Sequence, residues 1–168
     1  AVAALQQLKS VAGNRLEIVQ ADALQISTAS LTDHAPQVIV ANLPYNIATP
    51  LLISWLGDLY RNSAVYESLT LLFQKEVAER ILASPGTKTY GRLSVLTQWL
   101  CNVQKCFDIP PHAFTPAPKV TSTLVHMRPN KSEEHQPEFK DVETITAAAF
   151  GQRRKMVRTS LKAYSDYF

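Results

Sequence analysis

The sequence predicts an α/β fold organised around a parallel sheet, and three stretches predict it. Val38-Ile39-Val40-Ala41 is a run of four apolar residues, three of them β-branched, which reads as a buried strand. Leu69-Thr70-Leu71-Leu72-Phe73 reads as a second buried strand. Between them Thr49-Pro50 starts a helix, with Thr at the N-cap and Pro in the first turn, and Leu51, Leu52, Trp55, Leu56 and Leu59 form its apolar stripe. The alternation of a parallel α/β sheet is read from a helix over Ala1 to Ala12, a strand over Leu16 to Gln20, a loop and the strand Val38 to Ala41.

The remaining elements follow in order. Ala1 to Ala12 carries apolar residues at helical spacing, and Gly13-Asn14 closes that helix. Leu16 to Gln20 reads as a strand that runs into Asp22, placing Asp22, like Asn42, at a strand's carboxyl end. Lys75 to Ala83 is an amphipathic helix ended by Ser84-Pro85-Gly86, and a loop containing Lys88 leads to a helix from Arg92 to Cys101. Val103 to Ile109 and Ser122 to Arg128 are expected to form an antiparallel strand pair. The loop joining them holds four prolines in the nine residues Pro110 to Pro118, which makes it stiff. Asn130 to Asp141 is polar and turn-rich, a linker, after which Asp141 or Thr144 caps a helix to Phe150. The last segment is basic. Arg154, Arg158 and Lys162 recur every four residues and would share one helix face, opposite Phe150, Val157, Leu161 and Tyr164.

Size and composition narrow the classes. The 168 residues, 46% hydrophobic and 18% charged, suffice for a packed core. A net charge of +3 permits a nucleic-acid partner without demanding one. No apolar run is long enough to span a bilayer, and Ala1 to Leu8 does not have the form of a signal peptide. Cys101 and Cys106 lack the spacing of a zinc or redox site and read as reduced structural thiols. His34, His112, His126 and His135 are scattered, so no metal site is expected.

Asn42-Leu43-Pro44-Tyr45 is the stretch with chemistry in it. Pro44 fixes its own φ, donates no N–H and biases Leu43 towards an extended conformation. The Asn42 amide, the Leu43 carbonyl and the Tyr45 ring are thereby presented together at the sheet edge where open α/β folds bind ligands. A planar heterocycle with an exocyclic amino group suits this set. Its two N–H donors go to the Asn42 side-chain oxygen and the Leu43 carbonyl, and Tyr45 stacks on the ring. Acceptors that hold the hydrogens out of the ring plane return the nitrogen lone pair to nitrogen and make it nucleophilic. The plainer reading is a strand-ending turn, in which Asn, Pro and Tyr are all ordinary.

The longer stretch Asn42 to Leu52 resembles the catalytic motif of the ribosomal RNA adenine dimethyltransferases of the KsgA family. Gln74-Lys75-Glu76-Val77 with Tyr90-Gly91-Arg92-Leu93-Ser94-Val95, Phe114-Thr115-Pro116-Ala117-Pro118-Lys119-Val120-Thr121-Ser122, and Ala149-Phe150-Gly151-Gln152-Arg153-Arg154-Lys155 resemble the same family, in its order. The resemblance implies a Rossmann-like S-adenosylmethionine-dependent methyltransferase sheet, here incomplete, in residues 1–129. A linker at 130–141 and the start of a small helical RNA-binding domain at 142–168 would follow. Asn42, Leu43, Pro44, Tyr45 and Phe114 would be catalytic, with Phe114 a second wall for an extruded base. Asp22 and Ala23, with Asn42, would hold the cofactor. Asp22 alone reads equally as a turn cap, and Phe114 alone as a loop anchor. Lys88, Arg92, Lys119, Arg153, Arg154, Lys155, Arg158 and Lys162 would contact RNA phosphates, although most charge runs are solvated faces. The implied partner is small-subunit ribosomal RNA or its pre-ribosomal particle, met by a monomeric, cytoplasmic enzyme of bacterial type.

The chain departs from the family in one respect. Its five glycines make no G-x-G, and no strand ends in an acid for the ribose hydroxyls. It therefore reads as the central part of a longer methyltransferase and is not expected to methylate RNA by itself. Three rivals remain on the sequence. One is the antibiotic-resistance relative that methylates large-subunit RNA, disfavoured by Lys88 to Val95. Another is a glutamine methyltransferase with Pro in place of Leu43. The third is a non-catalytic ribosome-assembly or RNA-binding factor.

Overall fold

A computed structural model gives the architecture and describes residues 2–32, 34–130, 137–152, 155–162 and 164. Four strands form one mixed sheet in the order β1-β2-β4-β3: β1 (Gln37–Asn42), β2 (Tyr66–Gln74), β3 (Cys101–Ile109) and β4 (Ser122–Pro129). β1 and β2 are parallel and are joined through helix α2 (Tyr45–Arg61). β3 and β4 form the expected antiparallel pair, and β4 inserts antiparallel beside β2.

The core lies on one side of the sheet. Ile39 and Ala41 of β1, Leu69, Leu71 and Phe73 of β2, and Val125 and Met127 of β4 meet Leu51, Leu52, Trp55 and Leu56 of α2. α3 (Lys75–Leu82) adds Ala78 and Ile81, and α4 (Arg92–Leu100) adds Leu96 and Leu100. Both helices start where expected and end one residue earlier, before Ala83 and Cys101. Gly91 N–H donates to Ser94 Oγ at 3.0 Å, and the fully buried Ser94 hydroxyl donates in turn to the Arg80 carbonyl, which locks α4 onto α3.

Several expectations need correction. Leu16 to Gln20 forms no strand, since among the described residues no strand pairs with it, so Asp22 does not sit at a strand end. It lies in a turn, where its Oδ1 accepts from Leu24 N–H at 3.0 Å and its carbonyl from Gln25 N–H at 2.9 Å. Val38 to Ala41 is a strand but not a buried one. β1 is the sheet's edge, and Val38 and Val40 are 54% and 76% exposed. α2 begins at Tyr45 rather than after Thr49, with Pro44 as its N-cap, and Pro50 lies inside the helix. The helix after the linker begins at Phe139, not at Asp141 or later (α5, Phe139–Gly151). The single basic helix is not formed. α5 stops at Gly151, and α6 (Val157–Ser160) is one short turn bearing Arg158. Arg153, Arg154 and the stretch 131–136 lie outside the described residues. α1 (Val2–Ala12) forms as predicted and Gly13 closes it at φ +60, yet it buries none of its residues.

At the amino end of β2 a polar network anchors the segment before β1. Trp55 Nε1 donates to Thr28 Oγ1 at 2.8 Å, that hydroxyl lies 2.7 Å from Tyr66 Oη, and Tyr66 Oη donates to Asp58 Oδ2 at 2.8 Å. Burial above all pushes the Tyr66 phenol up from 10.0 to about 12. Burial alone takes the Cys101 thiol from 9.0 to about 12. Both groups bind their protons more tightly folded than unfolded, so their contribution is complete below about pH 9 and is lost as the pH rises through 12. Urea unfolding is expected to show a lower midpoint at pH 11 than at pH 8, with a shallower fall in a Tyr66→Phe, Cys101→Ala double variant. Equal pH dependence in the two proteins would contradict this.

Candidate active site at the carboxyl edge of the sheet

The strand order brings three separated segments to one edge. β1 ends at Asn42 beside Leu72, and β2 runs two residues further to Gln74. Antiparallel β4 starts at Ser122 beside Gln74, and β3 ends at Ile109 beside the same Ser122. The Asn42–Tyr45 turn, the start of α3 and both ends of the proline-rich loop 110–121 therefore share the carboxyl edge. A fold with parallel β1 and β2 puts its ligand site at this edge.

Each side chain of the turn has a defined place. Successive residues of a strand point to opposite faces, so with Ile39 and Ala41 in the core Asn42 faces away from the helices. It is exposed, and among the described residues its carboxamide makes no hydrogen bond. Leu43 packs its side chain against the core. Pro44 is held at φ −56 and ψ 132, which turns the chain from strand into α2. Tyr45, the first residue of α2, is half-buried, and its Oη lies 2.8 Å from Ser122 Oγ. Phe114 is half-buried in extended backbone just after a 3-10 turn, Pro111–Ala113, in the loop tethered at Ile109 and Ser122.

The next residue pair of the β3–β4 ladder carries charge. Asp108 accepts from Thr123 Oγ1 at 2.7 Å and from Lys105 Nζ at 2.9 Å, and Lys75 Nζ stands 3.8 Å away. The Lys105 hydrogen bond, then that of Thr123, holds the Asp108 carboxyl below its usual range. Two lysines against one carboxylate leave this part of the edge cationic.

The structure brings some of the expected site residues together and not others. Asn42, Leu43, Pro44 and Tyr45 form one turn, and the Phe114 loop is joined to it through Ser122. Asp22 and Ala23 are exposed, and the hydrogen bonds of Asp22 are local to its own turn. Arg92, partly exposed, makes an ion pair with Glu143 of α5 at 2.5 Å. Lys88 and Lys119 lie exposed on two different loops, and Lys155, Arg158 and Lys162 are exposed after α5. A hollow of about 790 Å³ lies elsewhere, on the helix side, lined by residues that include Pro50, Ile53, Val77, Arg80, Leu93 and Phe150. Ser122, Lys75 and Lys105 do not stand out as site residues in the sequence. Lys75 and Ser122 fall inside motif stretches, but the hydrogen bond that gives Ser122 its place joins residues 77 apart.

A family model for ribosomal RNA adenine dimethylase matches residues 2–166. The chain belongs to that family. Its relatives include a ribosomal RNA small subunit methyltransferase A of Rhodospirillum rubrum, 52% identical over 162 residues, which are 96% of this chain and 54% of the relative. The protein of the same name from Gluconobacter oxydans is 48% identical, matching 95% of this chain and 51% of the relative. The chain thus spans about half the length of these curated relatives. Among solved structures, a dimethyladenosine transferase from Plasmodium falciparum superposes with a TM-score of 0.78 at 28% identity, over 96% of this chain and 55% of that one. The 23S rRNA methyltransferase ErmE superposes at 0.65 with 22% identity, over 96% of this chain and 62% of that one, which speaks for the fold alone. The adenine dimethylase family and the methyltransferase-type α/β fold expected from the four motifs are both borne out.

Proposed function

We propose that these residues are the amine-holding half of an S-adenosylmethionine-dependent enzyme that dimethylates the N6 atoms of two adjacent adenosines in small-subunit ribosomal RNA. The observation that carries this reading is the Asn42 carboxamide. It stands exposed at the carboxyl end of β1, three residues from an anchored Tyr45, and among the described residues it makes no hydrogen bond. An exposed amide at the carboxyl end of a strand, where α/β folds bind their ligands, is free to exchange its water for a ligand's hydrogen bonds.

The chain's residues divide the work. The Asn42 oxygen and the Leu43 carbonyl accept from the adenine amino group and orient its lone pair. Asn42 is not a base, and the amine's extra proton passes to water. Tyr45 and Phe114 hold the base between them. Bound S-adenosylmethionine supplies the electrophilic methyl group. The residues present fit one part of that cofactor: Asp22, with one carboxylate oxygen outside its turn, and Ala23 suit its adenine amino group, and Asn42 stands at the edge where its methyl must arrive. No residue of this chain is assigned to its ribose or methionine arm. Residues 142–168 are read as the start of an RNA-binding helical domain, and the enzyme as monomeric and cytoplasmic. Among the described residues no helix is long and apolar enough to cross a membrane.

RNA phosphates are held, on this reading, by Lys88, Arg92, Lys119 and the basic residues Arg153 to Lys162, joined by Lys75 and Lys105 beside the site. Replacing Lys75 and Lys105 together by Ala is expected to reduce the salt dependence of RNA binding, with a log–log slope smaller by roughly 0.7–0.9 for each phosphate left unneutralised. Filter binding across a potassium chloride series measures it. An unchanged slope would remove both lysines from the interface. The function itself is tested in a chimera in which these 168 residues replace the matching half of the Rhodospirillum rubrum relative, assayed with labelled S-adenosylmethionine on unmethylated small-subunit particles. Incorporation into adenosine supports the reading, and an inactive but folded chimera opposes it.

A further inference from the structure

We propose that Ser122 is a positioning residue for the base-stacking Tyr45, holding the phenol ring flat across the carboxyl edge of the sheet. The proposal rests on the reading of that edge as an adenine-methylating site and names a residue for it to which the sequence motifs give no role.

The strand order makes the geometry specific. Tyr45 follows the end of β1, and Ser122 begins β4, with β2 between them. Neighbouring strands lie about 4.8 Å apart, so a bond from the start of α2 to the start of β4 must carry the ring over the end of β2. The 2.8 Å contact between Tyr45 Oη and Ser122 Oγ is that bond. Both ends are fixed. The Tyr45 backbone follows Pro44 at the N-cap of α2. Ser122 is fully buried, and it pairs with Gln74 on one side and Ile109 on the other.

The tether is needed because of where Tyr45 sits. Within a helix the preceding turn restricts a side chain's first torsion. At the first helical residue that turn is missing, and the ring would choose among rotamers. A base laid on a wandering ring would carry its amino group away from the Asn42 and Leu43 acceptors, and misplacement by about 1 Å costs of order a hundredfold in rate. Ser122 also closes the loop that carries Phe114, so a single hydroxyl sets the first wall relative to the anchor of the second.

The test is a double-mutant cycle in the chimera, with kcat and the KM for RNA read separately. Ser122→Ala and Tyr45→Phe each remove the bond and keep the ring, and each is expected to lower kcat roughly five- to tenfold, the worth of one hydrogen bond, with little change in KM. The double variant is expected to be no slower than either single one, because both remove the same hydrogen bond. A Ser122→Ala protein with wild-type kcat, or effects that multiply in the double variant, would overturn the proposal and leave the methyltransferase reading standing. A wild-type chimera without activity would count against that reading instead. The positioning claim is then decided in the 168-residue chain by ¹³C relaxation of labelled tyrosine rings. Ser122→Ala is expected to lower the order of the Tyr45 ring, and equal order in both proteins would overturn the claim.

Discussion

Asn42→Ala, made in the chimera, is expected to reduce methyl transfer by about a hundredfold or more while leaving RNA affinity within about twofold of wild type, since removing one preorganised acceptor from a developing charge costs roughly 2.7–4 kcal/mol. The asymmetry follows from where the residue stands. The Asn42 carboxamide makes no hydrogen bond among the described residues, so its removal breaks nothing that holds the fold. On the proposed reading it is one polar group among many phosphate contacts, so RNA binding is expected barely to register its loss. Single-turnover transfer and filter binding, measured on the same preparation, separate the two effects. A variant that kept more than about a tenth of the wild-type rate would remove Asn42 from the role given it.

Leu56→Ala is expected to lower stability by about 2–5 kcal/mol, a large share of the roughly 5–15 kcal/mol that holds a domain together. Leu56 is completely buried on α2, in the cluster where that helix meets Leu69, Leu71 and Val125 of the sheet. Its removal leaves a cavity between rigid elements on both sides, a site with little freedom to collapse. α2 also carries Tyr45 at its first turn, so loosening the helix loosens the site. Urea unfolding followed by far-ultraviolet circular dichroism measures the destabilisation. A midpoint equal to wild type would mean that α2 is not packed as described.

How far the sequence can be read depends on whether each element carries its own signal or borrows it from a neighbour. Leu69 to Phe73 and Val38 to Ala41 look alike in sequence, and both read as buried strands. The first lies inside the sheet between β1 and β4 and is buried except at Thr70, and the second is the edge strand, with Val38 and Val40 exposed on the face away from the helices. An apolar run states a preference for a strand and does not count the strand's neighbours. Leu16 to Gln20 shows the same limit more sharply, since a strand without a partner has nowhere to place its backbone hydrogen bonds. The limits of α3 and α4 are legible because Gln74-Lys75, Ser84-Pro85-Gly86 and Gly91 punctuate them locally. α2 offers two prolines as starts, and the helix takes the earlier one. That choice leaves Pro50 inside, where it cannot donate the backbone bond a helix interior uses. At the site, Asn42, Leu43, Pro44 and Tyr45 are legible because they are contiguous and their residue types carry the chemistry. Ser122 is not, because a serine opening a strand gains its role only when Tyr45, 77 residues earlier, is folded against it. The Lys75–Asp108–Lys105 cluster is hidden from the sequence for the same reason.

The central claim is that the Asn42 edge transfers methyl groups to adenine N6. Nucleoside mass spectrometry of small-subunit ribosomal RNA, after reaction with the chimera and again with its Asn42→Ala variant, tests it most directly. The account predicts N6,N6-dimethyladenosine from the first and almost none from the second. Dimethyladenosine at equal yield from both proteins, or methyl groups on some other nucleoside, would contradict it.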